Sequence, residues 1–250
     1  AGRGGRPGPR RAGGPGRRPV TIELIPVRGL PEVTAGMVLA ELIAGAAEVR
    51  AGDVVVVTSK VVSKAEGRVV PLDPGDPAAH AALIERESVR VLRRRVGLVI
   101  SQTAHGFVCA SAGIDRSNVA AGWAALLPVD PDRSARRIRD GLRARAGVEV
   151  GVVVSDTFGR PWRRGLVDAA IGCAGVAGVV DLRGSTDALG RPLHVTEMAV
   201  ADEMASAAEL VMGKAAGVAA AIVRGVDPSW LREGSVAAEL VRPAGHDLFR

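Results

Sequence analysis

The chain has 250 residues, 47% hydrophobic and 24% charged, proportions of a globular protein of one or two domains that exclude wholesale disorder. Its formal charge of +6 arises from 33 Lys and Arg against 27 Asp and Glu, yet residues 1–18 (AGRGGRPGPRRAGGPGRR) hold Arg3, Arg6, Arg10, Arg11, Arg17 and Arg18 and no acid, so the remainder is formally neutral. A pI near 10.5 would suggest a polyanion or anionic-membrane partner, but here that inference belongs to a tail.

Tyr is absent and the three Phe and three Trp are scattered, which argues against a single-strand nucleic-acid platform and leaves no specific nucleic acid as a partner. Two cysteines, Cys109 and Cys173, are too few for a disulfide framework or a multi-Cys metal site and point to a reducing, cytoplasmic compartment. No apolar run reaches the roughly 18 residues of a spanning helix, and the N-terminus lacks the apolar segment of a signal peptide.

In chain order, residues 1–18 are expected to be disordered, because they carry almost nothing that burial could stabilise. Residues 20–27 (VTIELIPV) alternate like a strand, and after a turn at 29–31 a helix is expected over 34–47. Residues 52–59 (GDVVVVTS) read as a buried strand. A basic helix is expected over 78–95, strands over 97–101, 106–110 and 148–154, and helices over 134–146 and 199–212, the latter ended by Gly213. A last strand spans 220–224. One mixed α/β domain over 19–250, without the strict strand-helix alternation of a Rossmann-type fold, is the simplest reading.

Three segments can carry chemistry. Residues 58–68 (TSKVVSKAEGR) directly follow the buried strand; a turn into a helix there would favour a phosphate through free N–H groups, Ser59 and Lys64. The competing reading, an ordinary Ser cap with two solvated lysines, is the commoner one on spacing alone. In 111–118 (SAGIDRSN), Asp115 can be a hard carboxylate ligand and Asn118 an amide reading a polar group, although Asp-x-x-Asn is also turn chemistry. In 152–165 (VVVSDTFGRPWRRG), Asp156 and Thr157 stand where a hydrophobic strand should end, the place where open α/β sheets put their sites, followed by Arg160, Arg163 and Arg164. Asp115 and Asp156 can hold Mg²⁺ or Mn²⁺ between them. Neither a GxxxxGK[ST] loop (Walker A) nor a helix-opening GxGxxG is present, so a bound nucleotide needs a non-standard site.

Segments 29–32 (GLPE), 58–68, 112–118 (AGIDRSN), 155–163 (SDTFGRPWR), 195–203 (VTEMAVADE) and 211–214 (VMGK) occur in one order that resembles the coenzyme F420-0:L-glutamate ligase family, the γ-glutamyl ligases of deazaflavin biosynthesis. The resemblance implies GTP-dependent addition of L-glutamate to the carboxylate of F420-0, extended by γ-linked glutamates, through an acyl phosphate. It places Leu30, Pro31, Glu32, Val33, Ser59, Lys64 and Asn118 at GTP, and Asp115, Asp156 and Thr157 at divalent-metal positions, with Asp115, Asp156 and Lys64 catalytic. It also implies an intertwined homodimer, a divalent cation and K⁺ as a further candidate. Arg160 and Arg163 are assigned to acidic substrate groups on their chemistry alone.

The chain departs from the family pattern at 36–38 (GMV in place of Gly-Asp-Asp), at Arg164 and Leu166, and at Lys214, a position acidic in archaeal-type members. Actinobacterial members continue, after a sequence like AGHDLFR (244–250), into a nitroreductase-like flavin domain; the expectation is a stand-alone form or part of such a two-domain protein. Two readings compete with the ligase: a metal-dependent phosphohydrolase using Asp115 and Asp156, and a polyanion-binding protein acting through the basic tail.

Overall fold

The computed structural model describes residues 21–247; the expectation of a disordered tail over 1–18 lies outside the described residues. In chain order the elements are β1 (Glu23–Val27), α1 (Leu39–Ala46), β2 (Val54–Thr58), α2 (Ser59–Ala65), β3 (Val69–Pro71), α3 (Pro77–Arg86), β4 (Ser88–Arg95), β5 (Leu98–Thr103), β6 (Val108–Ala110), β7 (Trp123–Ala125), α4 (Pro131–Ala146), β8 (Gly151–Arg160), β9 (Arg163–Ala174), β10 (Val180–Asp181), β11 (Glu197–Met198), α5 (Val200–Met212), β12 (Ala220–Arg224) and α6 (Val236–Glu239).

The centre is a five-stranded sheet in the order β1-β12-β2-β8-β9, with β2 and β8 parallel and the other pairs antiparallel. The runs Val54 to Val57 and Val152 to Val154 are fully buried, as continuous β-branched runs must be when both faces of a sheet are covered. Alternation divides them between two cores. Val55, Val57, Val152 and Val154 pack with Ile43 of α1 and Ile138 and Leu142 of α4, while Val54, Val56 and Val153 meet Met204, Ala205, Ala208 and Met212 of α5. The sequence expectation of a mixed α/β architecture is met, and smaller sheets of β4-β5-β6, β3-β7 and β10-β11 surround the central one.

Several expectations need correction. The helix expected over 34–47 begins only at Leu39, because Gly36 adopts φ +87° and donates its N–H to the Ala65 carbonyl, holding the preceding residues in a turn. The basic helix expected over 78–95 ends at Arg86; Ser88–Arg95 is a strand hairpinned onto β5 through a turn with Gly97 at φ +74°. The helix expected over 134–146 starts earlier, at Pro131, with Asp130 accepting from the Arg133 N–H. Helix α5 ends at Gly213 and the last strand spans 220–224, both as expected.

The correction that matters most concerns the strand expected to stop at residue 154. It runs to Arg160 and turns back as β9, which the sequence reading did not anticipate. Because β2 ends at Thr58, opposite Ser155, β8 and β9 continue past the sheet as a two-stranded arm. A register shift between Val154 and Ser155 leaves Ile171 without an opposite residue, the one-residue bulge that bends a strand and re-aims its side chains.

Candidate functional site

The arm, the β2-α2 junction and the segment after α5 enclose a cavity of about 670 Å³. Its wall contains Leu30, Pro31, Glu32 and Val33, then Ser59, Lys60 and Lys64, then Asp115, Ser117 and Asn118, and finally Asp156, Thr157, Asp168, Glu209 and Lys214. Every residue assigned from the sequence to nucleotide or metal therefore lines one space, although the segments lie up to 127 positions apart (Leu30 to Thr157).

Local structure explains the placement. Helix α2 follows β2 without a linker, so Ser59 sits at the carboxyl end of the parallel pair, where its hydroxyl donates to Asp156 Oδ1 at 2.8 Å. Ser111, Ala112 and Gly113 take φ +50°, +54° and +73° in succession; left-handed non-glycine residues are costly and persist where surrounding structure fixes them. A Cβ at Gly113 would lie 2.7 Å from Leu127 Cγ, so the loop backbone packs against β7's extension. The kink brings Asp115 into a two-way backbone bridge with Ala125 and its carboxylate to Lys60 Nζ at 2.8 Å and the Ser117 N–H at 2.6 Å.

Two carboxylates on this side differ in character. Burial drives Asp156 up to about 6, opposed by the Ser59 hydroxyl and the Thr157 N–H and reinforced by the charges of Asp115 and Asp168. Burial also acts to raise Asp115, but Lys60 and Ser117 outweigh it and hold that carboxyl below its ordinary range. Asp115, after the kink, and Asp156, within β8, are two carboxylates that could offer hard oxygen ligands to Mg²⁺ or Mn²⁺. Among the described residues no three acidic, His or Cys side chains converge on one point.

Thr157 has different partners. Neighbouring residues of a strand face opposite sides, and its Oγ1 donates to Asp168 Oδ1 at 2.7 Å while accepting from Lys214 Nζ at 2.6 Å. Lys64 ion-pairs with Glu32 at 2.5 Å. Arg160 and Arg163 stand on the arm and are not part of the cavity wall; Arg160 Nη2 donates to the Arg164 carbonyl at 3.3 Å and its buried Nε has no partner. Cys109, near Asp156, is pushed up to about 12 by burial and by that carboxylate, which leaves it a neutral packing group and not a nucleophile.

Sequence reasoning missed Lys60, Ser117, Asp168 and Glu209. Asp168 carried a signal: an acid inside the apolar run 166–174 (LVDAAIGCA), 2% exposed in the fold, is the kind of buried charge that requires partners.

The fold and this cavity define a mixed α/β protein whose cavity wall gathers three lysines with five carboxylates. The model of the F420-0:Gamma-glutamyl ligase family matches residues 29–225. The chain is 42% identical over 249 residues to the coenzyme F420:L-glutamate ligase of Methanothermobacter thermautotrophicus (92% of this chain, 99% of the relative). It is 43% identical over 247 residues to the enzyme of that name from Methanopyrus kandleri (92% and 98%) and 41% over 244 residues to that from Archaeoglobus fulgidus (92% and 96%). The chain belongs to the F420-0:γ-glutamyl ligase family, enzymes that form an amide bond.

Proposed function

We propose that this protein adds L-glutamate to coenzyme F420-0, and further glutamates through γ-linkages, at the expense of GTP. The observation that carries the reading is the convergence of Lys60, Lys64 and Lys214 with Asp115 and Asp156 in one cavity. Carboxylate and ammonium do not condense unaided in water. Transfer of the GTP γ-phosphoryl group to the F420-0 carboxylate gives an acyl phosphate and GDP; attack by the glutamate amine then forms the amide and releases phosphate and a proton. All participants are anionic, so catalysis is largely charge compensation and positioning.

In this reading Leu30 to Val33, Ser59, Lys64 and Asn118 bind GTP, with Lys64 exchanging the exposed Glu32 for a phosphate oxygen. Asp115 and Asp156 would hold a divalent cation, Mg²⁺ or Mn²⁺, which supplies neutralisation of the phosphate oxygens. Lys60 holds the Asp115 carboxylate in place through their ion pair at 2.8 Å. K⁺ is a further candidate ion. A homodimer fits the arm, where Trp162 and Leu166 are 87% and 66% exposed. A cytoplasmic setting fits two buried, unbridged cysteines. Among the described residues no helix is long and apolar enough to cross a membrane.

Mass spectrometry of a reaction containing F420-0, GTP, glutamate and Mn²⁺ tests this directly. The expected product carries one or more glutamates, and GDP appears only when both F420-0 and glutamate are present. GTP turnover without glutamate would instead identify a phosphohydrolase.

A further inference from the structure

The cavity has two halves, on opposite faces of β8. Asp156 points to Ser59 and Asp115; Thr157, the next residue, points across β9 to the end of α5. In this second half Lys214 Nζ lies 2.6 Å from Thr157 Oγ1, 2.7 Å from Asp168 Oδ1 and 2.8 Å from Glu209 Oε1. An ammonium has three donors, and three acceptors surround this one. Asp168 is itself locked: Oδ1 also accepts from Thr157, Oδ2 accepts from Ser155 Oγ at 3.0 Å, and its carbonyl accepts from Ser206 Oγ at 2.6 Å.

A divalent ion at Thr157 needs the lone pairs of Oγ1 and nearby carboxylate oxygens at roughly 2.0–2.2 Å. Asp115 also pairs with a lysine, but there the second carboxylate, Asp156, accepts from the Ser59 hydroxyl. At Thr157 the hydroxyl and the Asp168 carboxylate are bonded both to each other and to the same ammonium, and Thr157 faces away from Asp115 and Asp156. The donor set of Asp115 and Asp156 fits a divalent ion; Thr157 does not belong to it.

We propose that Lys214 is a resident cation: the chain binds one divalent ion, at Asp115 and Asp156, while Lys214 supplies the positive charge of the other half, where it neutralises Asp168 and Glu209 and faces the anionic ligands. The proposal rests on the reading of Asp115 and Asp156 as the divalent-ion pair. Charge in the second half is then covalently attached and independent of metal concentration. Lys214 is a positioning and binding residue here, holding Thr157 and Asp168 in register and standing at the cavity wall.

Titration of the metal-free full-length chain with Mn²⁺ alone, followed by electron paramagnetic resonance of the free ion, tests this without ligase turnover. The wild type is expected to bind one Mn²⁺. Thr157→Val is expected to keep that ion within about twofold in affinity, whereas Asp115→Asn loses at least tenfold. Lys214→Met, which frees Asp168 and Glu209, is expected to bind a second Mn²⁺. Two ions in the wild type, or a tenfold loss in Thr157→Val, would overturn the proposal, as would a folded Lys214→Met that still binds one. No ion in the wild type but one in Lys214→Met would instead refute the Asp115–Asp156 pair and keep the role of Lys214.

Discussion

Asp156 is where burial and function conflict most directly. Its carboxyl is driven up to about 6 chiefly by burial, against an unfolded value near 3.9. The folded state therefore holds the proton more tightly than the unfolded one. Below about pH 4 both states are protonated and the residue costs nothing; between 4 and 6 ionisation increasingly opposes folding, and above 6 the penalty is complete. Two pH units correspond to about 3 kcal/mol. Asp156→Asn, which still accepts from Ser59, is expected to stabilise the metal-free protein at pH 7.5 by up to that amount, with the gap closing below pH 4. Thermal unfolding of both proteins across that range checks it, and parallel curves at every pH would refute the assignment. Asp156 stood out in the sequence because it closes a strong apolar run (152–155, VVVS), whereas Ser59, Lys64, Asp115 and Asn118 read on spacing alone more readily as cap and turn chemistry and gained their assignment only through the family resemblance. Glu209 and Lys60 were not legible, since their meaning comes from β9, α5 and α2 converging, which no local spacing encodes; Asp168 showed only as an acid in an apolar run, with its partners unreadable.

At the scale of elements, the packing is tied together by one buried side chain outside the cavity. Asp132, at the start of α4, accepts from the N–H groups of Cys173 on β9 and Val236 and Ala237 on α6, and from the Ser235 hydroxyl, at 2.7 to 3.1 Å. It satisfies the first N–H groups of α6 and fixes α4 against β9. The approach is so close that a Cβ on Gly172 would stand 2.3 Å from the Pro131 carbonyl. Asp132→Ala strands several buried donors, each costing about 1–3 kcal/mol when unpaired. A loss on the order of 3 kcal/mol is expected, read as a lower denaturant midpoint at unchanged slope, with Mn²⁺ binding retained. A change below 1 kcal/mol would show that α6 is not held this way. Elements with local signatures were legible: the valine run of β2, the body of α4 over 134–146 though not its Asp-Pro start, and α5 with Gly213. The arm was not. Residues 163–174 (RRGLVDAAIGCA) contain few strong β-formers, and the bulge at Ile171 interrupts the alternation that would have revealed a strand. Ser88–Arg95 read as a solvated helix because its strand character depends on β5.

For the whole molecule, the consequential feature is the separation of charge from site. The described residues lining the cavity run from Leu30 to Ala219 and the family match from 29 to 225, so residues 1–18 lie outside the family match. Those residues nevertheless supply the entire formal excess of positive charge. Within the neutral remainder the ion pairs are local: Lys60 with Asp115, Lys64 with Glu32, Lys214 with Asp168 and Glu209. Such pairs are short-ranged at physiological salt, where the Debye length is about 8 Å, and they set chemistry inside the cavity without giving the surface a net field. Deleting residues 1–18 is therefore expected to leave kcat/KM for glutamate ligation within about twofold. The same deletion should abolish retention on a polyanion such as heparin at low salt, a retention that in the full chain falls steeply as salt rises because each neutralised anionic group releases a counterion. Chromatography of the two proteins across a salt gradient, run beside the ligase assay, separates the contributions. A deletion that removed ligase activity while the protein stayed folded would place the arginines at the site, and the charge separation argued from the sequence would fail.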